Sequence, residues 1–336
     1  MPPHEPLVVR IAREFQRDLR NRQAQQVQAM ARRWLMVENR LRQDIIALAA
    51  EIARRHAAGE VITLGKLYQI ERYQALLAQV QSEIAQYSVY ALRAIDAEQR
   101  VLAIAGLQDG IAAIQASMFD AWGTIGIEFN RINYSAVEKI VAAARAGQPL
   151  NVILERAYPI TAQAISDRLV QATALGWSPR KTAQSIINEG LAPGLDHILL
   201  VARDQEIRAY REASRESYQE AGVQKYMRIS AHDERVCEAC IALDGTEYAT
   251  DELMELHPQD RCAIVPVLPG VDMPEYPTGK DWFDTQTDDM QRSILGPGKY
   301  EAYQAGEFEF AQLATPTYSP TWGPGLEVTP LKELTG

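Results

Sequence analysis

The sequence predicts a mainly α fold, with a long helical N-terminal region and a small α+β domain near the C-terminal end. Three observations carry that expectation. Between Leu7 and Ala57 there is no proline or glycine, and apolar residues recur at helical spacing. A second run of the same kind extends from Ile70 to Ile95. After Gly222 the pattern changes to short β-branched runs, and all three cysteines of the 336 residues fall in one window with a histidine. The expected division is a long helical hairpin at 1–107, a helical bundle at 108–222, an α+β domain at 223–315 and an extended tail at 316–336.

In the first run Leu7, Ile11, Phe15 and Leu19, then Met30, Trp34, Leu41, Ile45, Leu48 and Ile52, mark one apolar stripe. His56-Ala-Ala-Gly-Glu60 interrupts it. In the second run Ile70, Tyr73, Leu77, Val80, Ile84, Tyr87, Ala91 and Ile95 share a face, and Gly106 is read as its stop. Two such helices joined by a short turn make an antiparallel hairpin. A hairpin alone cannot cover Phe15, Trp34, Leu41, Tyr73 and Tyr87, so later helices, a second copy or another protein must do so.

Shorter helices follow. Ser135-Ala-Val-Glu138 reads as a capping box, with Gly147 and Pro149 as stops. Ser178-Pro179 is an N-cap with proline at the first helical position, and Gly190 ends that helix. A helix from about Asp196 to Ala221 closes at Gly222. Beyond it, residues 226–230 and 263–267 read as strands, Leu243-Asp-Gly245-Thr246 as a β-turn, and 268–279 as a linker. Trp282 to Leu295 reads as a helix whose Trp282, Ile294 and Leu295 pack onto the small unit that holds the cysteines.

Cys237, Cys240, His257 and Cys262 form the pattern C-x2-C, sixteen residues, H, four residues, C. Three thiolates and one imidazole complete a tetrahedral zinc site with no position left for substrate, so the C-terminal domain is expected to be zinc-stapled. Soft thiolates suit zinc, whereas magnesium seeks oxygen. The rival reading is a redox pair or an inert thiol cluster. Against a redox pair, Cys237-Glu-Ala-Cys240 follows the polar Asp233-Glu234-Arg235 and opens no strongly apolar helix behind a strand.

Composition sets the outer bounds. An apolar fraction of 47% and a charged fraction of 23% are those of a folded protein. No run of eighteen apolar residues occurs, so no membrane span is expected, and the first six residues have no signal-peptide pattern. Charge is uneven. Residues 1–60 hold eleven arginines, no lysine and seven acids, whereas 231–336 hold six basic and twenty acidic side chains. So acidic a C-terminal third is repelled by phosphate, which argues against its reading nucleic acid. Arg10, Arg13, Arg17, Arg20 and Arg22 could meet nucleic acid or an acidic protein face, although such a run is usually the solvated side of a helix.

The core Asp233-Glu-Arg-Val-Cys237-Glu-Ala-Cys240, then Leu243-Asp-Gly245, His257-Pro258 and Arg261-Cys262, resembles the Mu F-like minor head proteins, the head-morphogenesis family of tailed phages. Downstream, Trp282, Gln286, Gln291, Ile294-Leu-Gly296, Tyr300, Tyr303 and Gly306 are similar to that family's pattern; upstream, so are the Ser178 helix, Val201-Ala-Arg203 and Tyr218. The resemblance covers about residues 175–310. It implies a structural protein of the virion, placed in the capsid interior near the portal and in the host cytoplasm during assembly. The implied partners are the portal protein, the major capsid or scaffold protein, and packaged DNA, and the portal becomes the preferred cover for the apolar positions of the two long helices. Where the family has C-R-C, this chain has Asp260-Arg261-Cys262. The fourth ligand is therefore His257 or Asp260; imidazole suits a thiolate-rich site better, with Asp260 as its hydrogen-bond partner.

No catalytic set is expected. The sequence has no Walker A, G-x-S-x-G, HExxH or GxGxxG, and adjacent His232 and Asp233 point to opposite faces of a strand. Two other readings remain at this level: a zinc-containing nucleic-acid-binding or regulatory protein, and a metal-dependent hydrolase with an open coordination position.

Overall fold

The computed structural model describes residues 5–122, 136–144, 148–268 and 276–336. Ser135, Gly147, most of the 268–279 linker and the first four residues lie outside them. Helix α1 (Leu7–Ala57) is continuous, α2 (Leu64–Leu67) is one turn capped by Thr63, and α3 spans Glu71–Trp122. Then come α4 (Ala136–Ala144), α5 (Leu150–Glu155), α6 (Ala157–Ala174), α7 (Pro179–Ser185) with a π turn to Gly190, and α8 (Ala192–Glu220). The C-terminal part runs β1 (Lys225–Ile229), α9 (Glu238–Ala242), β2 (Glu247–Ala249), β3 (Ala263–Val267), α10 (Gly279–Asp284), α11 (Asp288–Gln304), β4 (Ala314–Ser319), β5 (Gly323–Val328) and α12 (Leu331–Leu334). The chain is thus mainly helical, with small sheets confined to the C-terminal part, as the sequence predicts.

Two compact units are each assembled from separate stretches. Met1–Arg22, Ala97–Gln148 and Asp204–Gly336 form one; Gln23–Asp96 and Pro149–Arg203 form the other. In the second unit the apolar stripes of α1 and α3 are covered by the same chain. Trp34, Leu41 and Tyr73 are fully buried and Tyr87 nearly so, with Trp34 edge-on to Tyr87 at 4.8 Å. The Tyr73 hydroxyl meets Ser166 of α6 at 2.5 Å, and Tyr87 donates to the Met30 carbonyl at 2.8 Å. For Trp34, Leu41, Tyr73 and Tyr87 the cover is intramolecular, not the portal that the resemblance favours.

Helix α3 continues past Gly106, contrary to the sequence expectation. Glycine there serves close packing: a Cβ on Gly106 would come within 2.8 Å of the Ala213 methyl, and one on Gly110 within 2.9 Å of the Ser217 Cβ. Both neighbours lie on α8, where a side-chain-free surface lets two helices approach closely. Among the described residues, α3 is the one helix long and apolar enough to cross a membrane. A core helix meets the same length-and-composition test, and 56% of its most apolar stretch is buried.

Helix α8 ends as its sequence dictates, with Gly222 at φ 77° and Val223 N–H reaching the Tyr218 carbonyl at 2.9 Å. Strand β1 follows, central in the antiparallel order β2-β1-β3, with Met227 opposite Val265. Pro266 is tolerated because β3 is an edge strand. Its core joins Val8, Val9, Ala113, Ile114 and Tyr218 to Tyr226, Met227, Ile229 and Val265.

Two readings of the last hundred residues need correction. The helix expected over Trp282–Leu295 is two, broken where Thr287 caps α11. Ile294 and Leu295 pack on Val236 and Ile241 as expected, but the fully buried aromatic is Phe283, while Trp282 is only partly covered. The extended tail expected over 316–336 instead begins in a hairpin, with Thr317 paired to Gly325 and Gly323 at φ 76° in its turn. Its density of Gly and Pro hides an ordinary antiparallel ladder.

Candidate metal centre

Strand β1, α9 and the loop before β3 bring the cysteines together. Cys237 stands in extended conformation at the N-cap of α9, so the x-x spacing carries Cys240 round the first turn to the same side. His257-Pro-Gln-Asp260 is a tight turn closed by Asp260 N–H on the His257 carbonyl at 3.0 Å, with Pro258 at its second position. The third position must take positive φ, and Gln259 does so at 67°. That backbone cost brings His257 and Asp260 to one site.

The donor atoms form two overlapping groups. Those of Cys237, Cys240 and His257 lie within 4.8 Å of one another, as do those of Cys240, Asp260 and Cys262. Cys240 belongs to both. His257 Nε2 sits 3.0 Å from Cys240 Sγ, while its Nδ1 donates to the Pro258 carbonyl at 2.9 Å. Once the ring is neutral, that hydrogen bond keeps the proton on Nδ1 and leaves the lone pair on Nε2, the nitrogen facing the sulfur, as a metal ligand requires. Asp260 Oδ2 is 4.0 Å from Nε2.

Two arginines that sequence reasoning passed over complete the centre. Arg228, fully buried on β1, directs one Nη2 at Cys240 Sγ and Cys262 Sγ, each at 3.3 Å, and at Asp260 Oδ2 at 3.0 Å. Arg211 of α8 binds Asp260 Oδ1 at 2.5 Å and also the Cys262 carbonyl. An arginine inside a central strand is the one clue in the sequence. The hairpin supplies the last wall: Leu326 packs on Cys240 and Cys262, and its N–H bonds the Leu256 carbonyl at 3.0 Å.

Without a metal, the site holds charge by pairing. Hydrogen bonding from Cys240, then from His257, pushes the Cys237 thiol down to about 4 against its burial. Burial opposes a charged His257, but Cys237 and Asp260 lift it to about 9. Hydrogen bonds with Cys237 and Cys262, with burial added, push Cys240 well above the ordinary thiol value. Burial alone would raise Asp260; Arg211, Arg228 and His257 hold it far below the usual carboxylate range instead. The donor set fits a divalent metal. Three thiolates and one carboxylate balance such an ion and two guanidiniums, which leaves no net charge in a dry site.

His232 and Asp233 do not pair with each other. His232 bonds Asp244 Oδ2 at 2.8 Å, not Asp233, and stacks between Tyr276 and Trp282. Asp233 instead takes both guanidinium nitrogens of Arg261 at 2.7 and 2.8 Å.

Residues 163–264 match the model of the phage Mu protein F like proteins. This stretch is Mu F-like. It contains α7, α8, the first two strands and all of Cys237, Cys240, His257 and Cys262, and so bears out the resemblance to the head-morphogenesis family. The Mu F-like segment begins earlier than the sequence motifs suggest and stops at Ile264, before the Trp282 pattern. No curated protein and no solved structure matches the chain.

Proposed function

We propose that this chain is a phage minor head protein, associated with the portal and acting structurally in capsid assembly and in DNA packaging or delivery. The observation that carries the reading is the Mu F-like match enclosing the complete Cys/His cluster. The metal is zinc, held by Cys237, Cys240, His257 and Cys262, with Asp260 anchored by its arginines as outer support. Soft donors favour zinc over oxygen-seeking ions, and four protein ligands fill its tetrahedron. The role is therefore staple, not catalyst: no coordination position remains for substrate or water. The portal protein, and with it the capsid or scaffold protein and packaged DNA, would be met inside the virion, after assembly in the host cytoplasm.

The test is co-purification of the full-length chain with the portal protein encoded by the same genome. The portal should co-elute at constant stoichiometry, and metal analysis should give one zinc per chain. Independent elution of the two proteins, together with particles of normal composition when the chain is omitted, would sink the assignment.

A further inference from the structure

We infer that the first turns of α1 and the loop after β1 form a binding pocket for a single phosphate group. A cavity of about 180 Å³ is lined by Arg13, Arg17 and Arg20 of α1 and by Arg261, beside Gln16 and Ser230. Four guanidiniums face one lining carboxylate, Asp233, so the cavity carries excess positive charge. Two of the cations are already held, Arg261 by Asp233 and Arg13 by Glu5. Arg17 reaches only the exposed Glu14 at 3.6 Å, and Arg20 makes no ion pair among the described residues. Burial, then the field of Arg261, with smaller contributions from Arg235 and Arg17, holds the Arg20 pKa below its usual value. Cations crowded in this way gain when an anion enters.

A second, independent observation points to a ligand. Ser230 is 1% exposed and Gln16 4%, and the Ser230 Oγ and Gln16 Oε1 have no hydrogen-bond partner among the described residues. Buried polar atoms are normally paired, and a hydroxyl and a turnable amide supply the neutral donors an oxyanion takes alongside guanidinium forks. His232, fixed by Asp244, forms a rigid side of the same cavity. Several converging guanidiniums suit a multiply charged phosphate better than one carboxylate. The acidic surroundings in 231–336 oppose an extended polyanion, so the ligand is one phosphate, as free phosphate or at a nucleic-acid end.

The experiment titrates inorganic phosphate into the full-length chain at constant ionic strength, with chloride as the counter-titrant, following calorimetric heat and Tm. Saturable binding is expected, weakened about tenfold or more in Arg20→Gln and in the solvent-exposed Arg17→Gln. Ser230→Ala should weaken it without lowering the Tm of the unliganded chain. An oligonucleotide bearing a 5′-phosphate is compared with its 5′-hydroxyl twin: preference for the former assigns the phosphate to a nucleic-acid end, and binding of inorganic phosphate alone assigns it to the free ion. The pocket is refuted if phosphate behaves as chloride does, or if both arginine variants bind normally. Equal binding of the two oligonucleotides, or binding of a glutamate-rich peptide in place of phosphate, equally overturns it.

Discussion

At the residue scale, the proposed zinc site combines acids and bases whose protons must leave before a cation can enter. At neutral pH His257, raised to about 9, and Cys240, raised further, are protonated, whereas Cys237, lowered to about 4, is not. Loading zinc therefore expels a proton from each of the first two groups. Affinity should climb at least about a hundredfold per pH unit between about pH 6 and pH 8. Competition with a chromophoric chelator across that range checks it, and a flat profile would show that the ligands are already deprotonated. Asp260 acts in the same direction, but in a more acidic range. A carboxylate depressed by folding contributes stability that is complete above the ordinary value near 4 and fades as pH falls below it. Arg228 ties these groups together. Arg228→Met should cost about 3–5 kcal/mol by chemical denaturation, because it strands a buried carboxylate and two sulfurs. A loss under about 1 kcal/mol would mean that Arg211 alone suffices.

Among the elements, the close passage of α3 against α8 allows a prediction whose sign is informative. In an isolated helix, replacing glycine by alanine stabilises by about 1 kcal/mol. Gly106→Ala and Gly110→Ala should instead destabilise, by about 1–3 kcal/mol each, since their methyls meet Ala213 and Ser217 at under 3 Å. A raised Tm in either variant would contradict the packing. These glycines also show where sequence reading falters. The caps at Ser178 and Gly222 are legible because their causes are local: a side-chain acceptor in one case, a left-handed residue in the other. Gly106 looks like a stop in the sequence because its cause, a neighbouring helix over a hundred residues away, is not local. The hairpin of 314–328 escaped for a related reason, since Gly and Pro dominate its composition while its ladder and its contact with Leu256 are set by tertiary pairing. Cysteine spacing exposed the thiolates and His257, but nothing short of β1's central position marks Arg228. Phe283→Ala should cost about 3–5 kcal/mol, against clearly less for the half-covered Trp282→Ala, and thermal denaturation separates the two.

For the whole molecule, the question is whether the metal or the apolar core holds the C-terminal part together. Structural zinc contributes about 10–16 kcal/mol of apparent binding energy in small modules, enough to fold some that are otherwise unfolded. By that measure residues 223–336 could stand alone once zinc is bound. The core argues otherwise. Tyr226, Met227, Ile229 and Val265 are buried against Val8, Val9 and Ala12 of α1, Ala113 and Ile114 of α3, and Tyr218 of α8, all of which such a fragment lacks. Arg211, which holds Asp260, is missing as well. Removing those partners exposes one whole face of the sheet, and three short strands with one face uncovered are marginal. The fragment 223–336 should therefore bind zinc through its cysteines yet show no sharp melting transition and poorly dispersed amide resonances, whereas the full chain melts cooperatively. Stripping zinc from the full chain with a chelator should lower its Tm but leave the helical circular dichroism signal of α1 and α3 in place. If the isolated fragment instead gives a dispersed spectrum and a cooperative transition, the metal alone organises the sheet, and the packing of α1, α3 and α8 against it adds stability without being required for the fold.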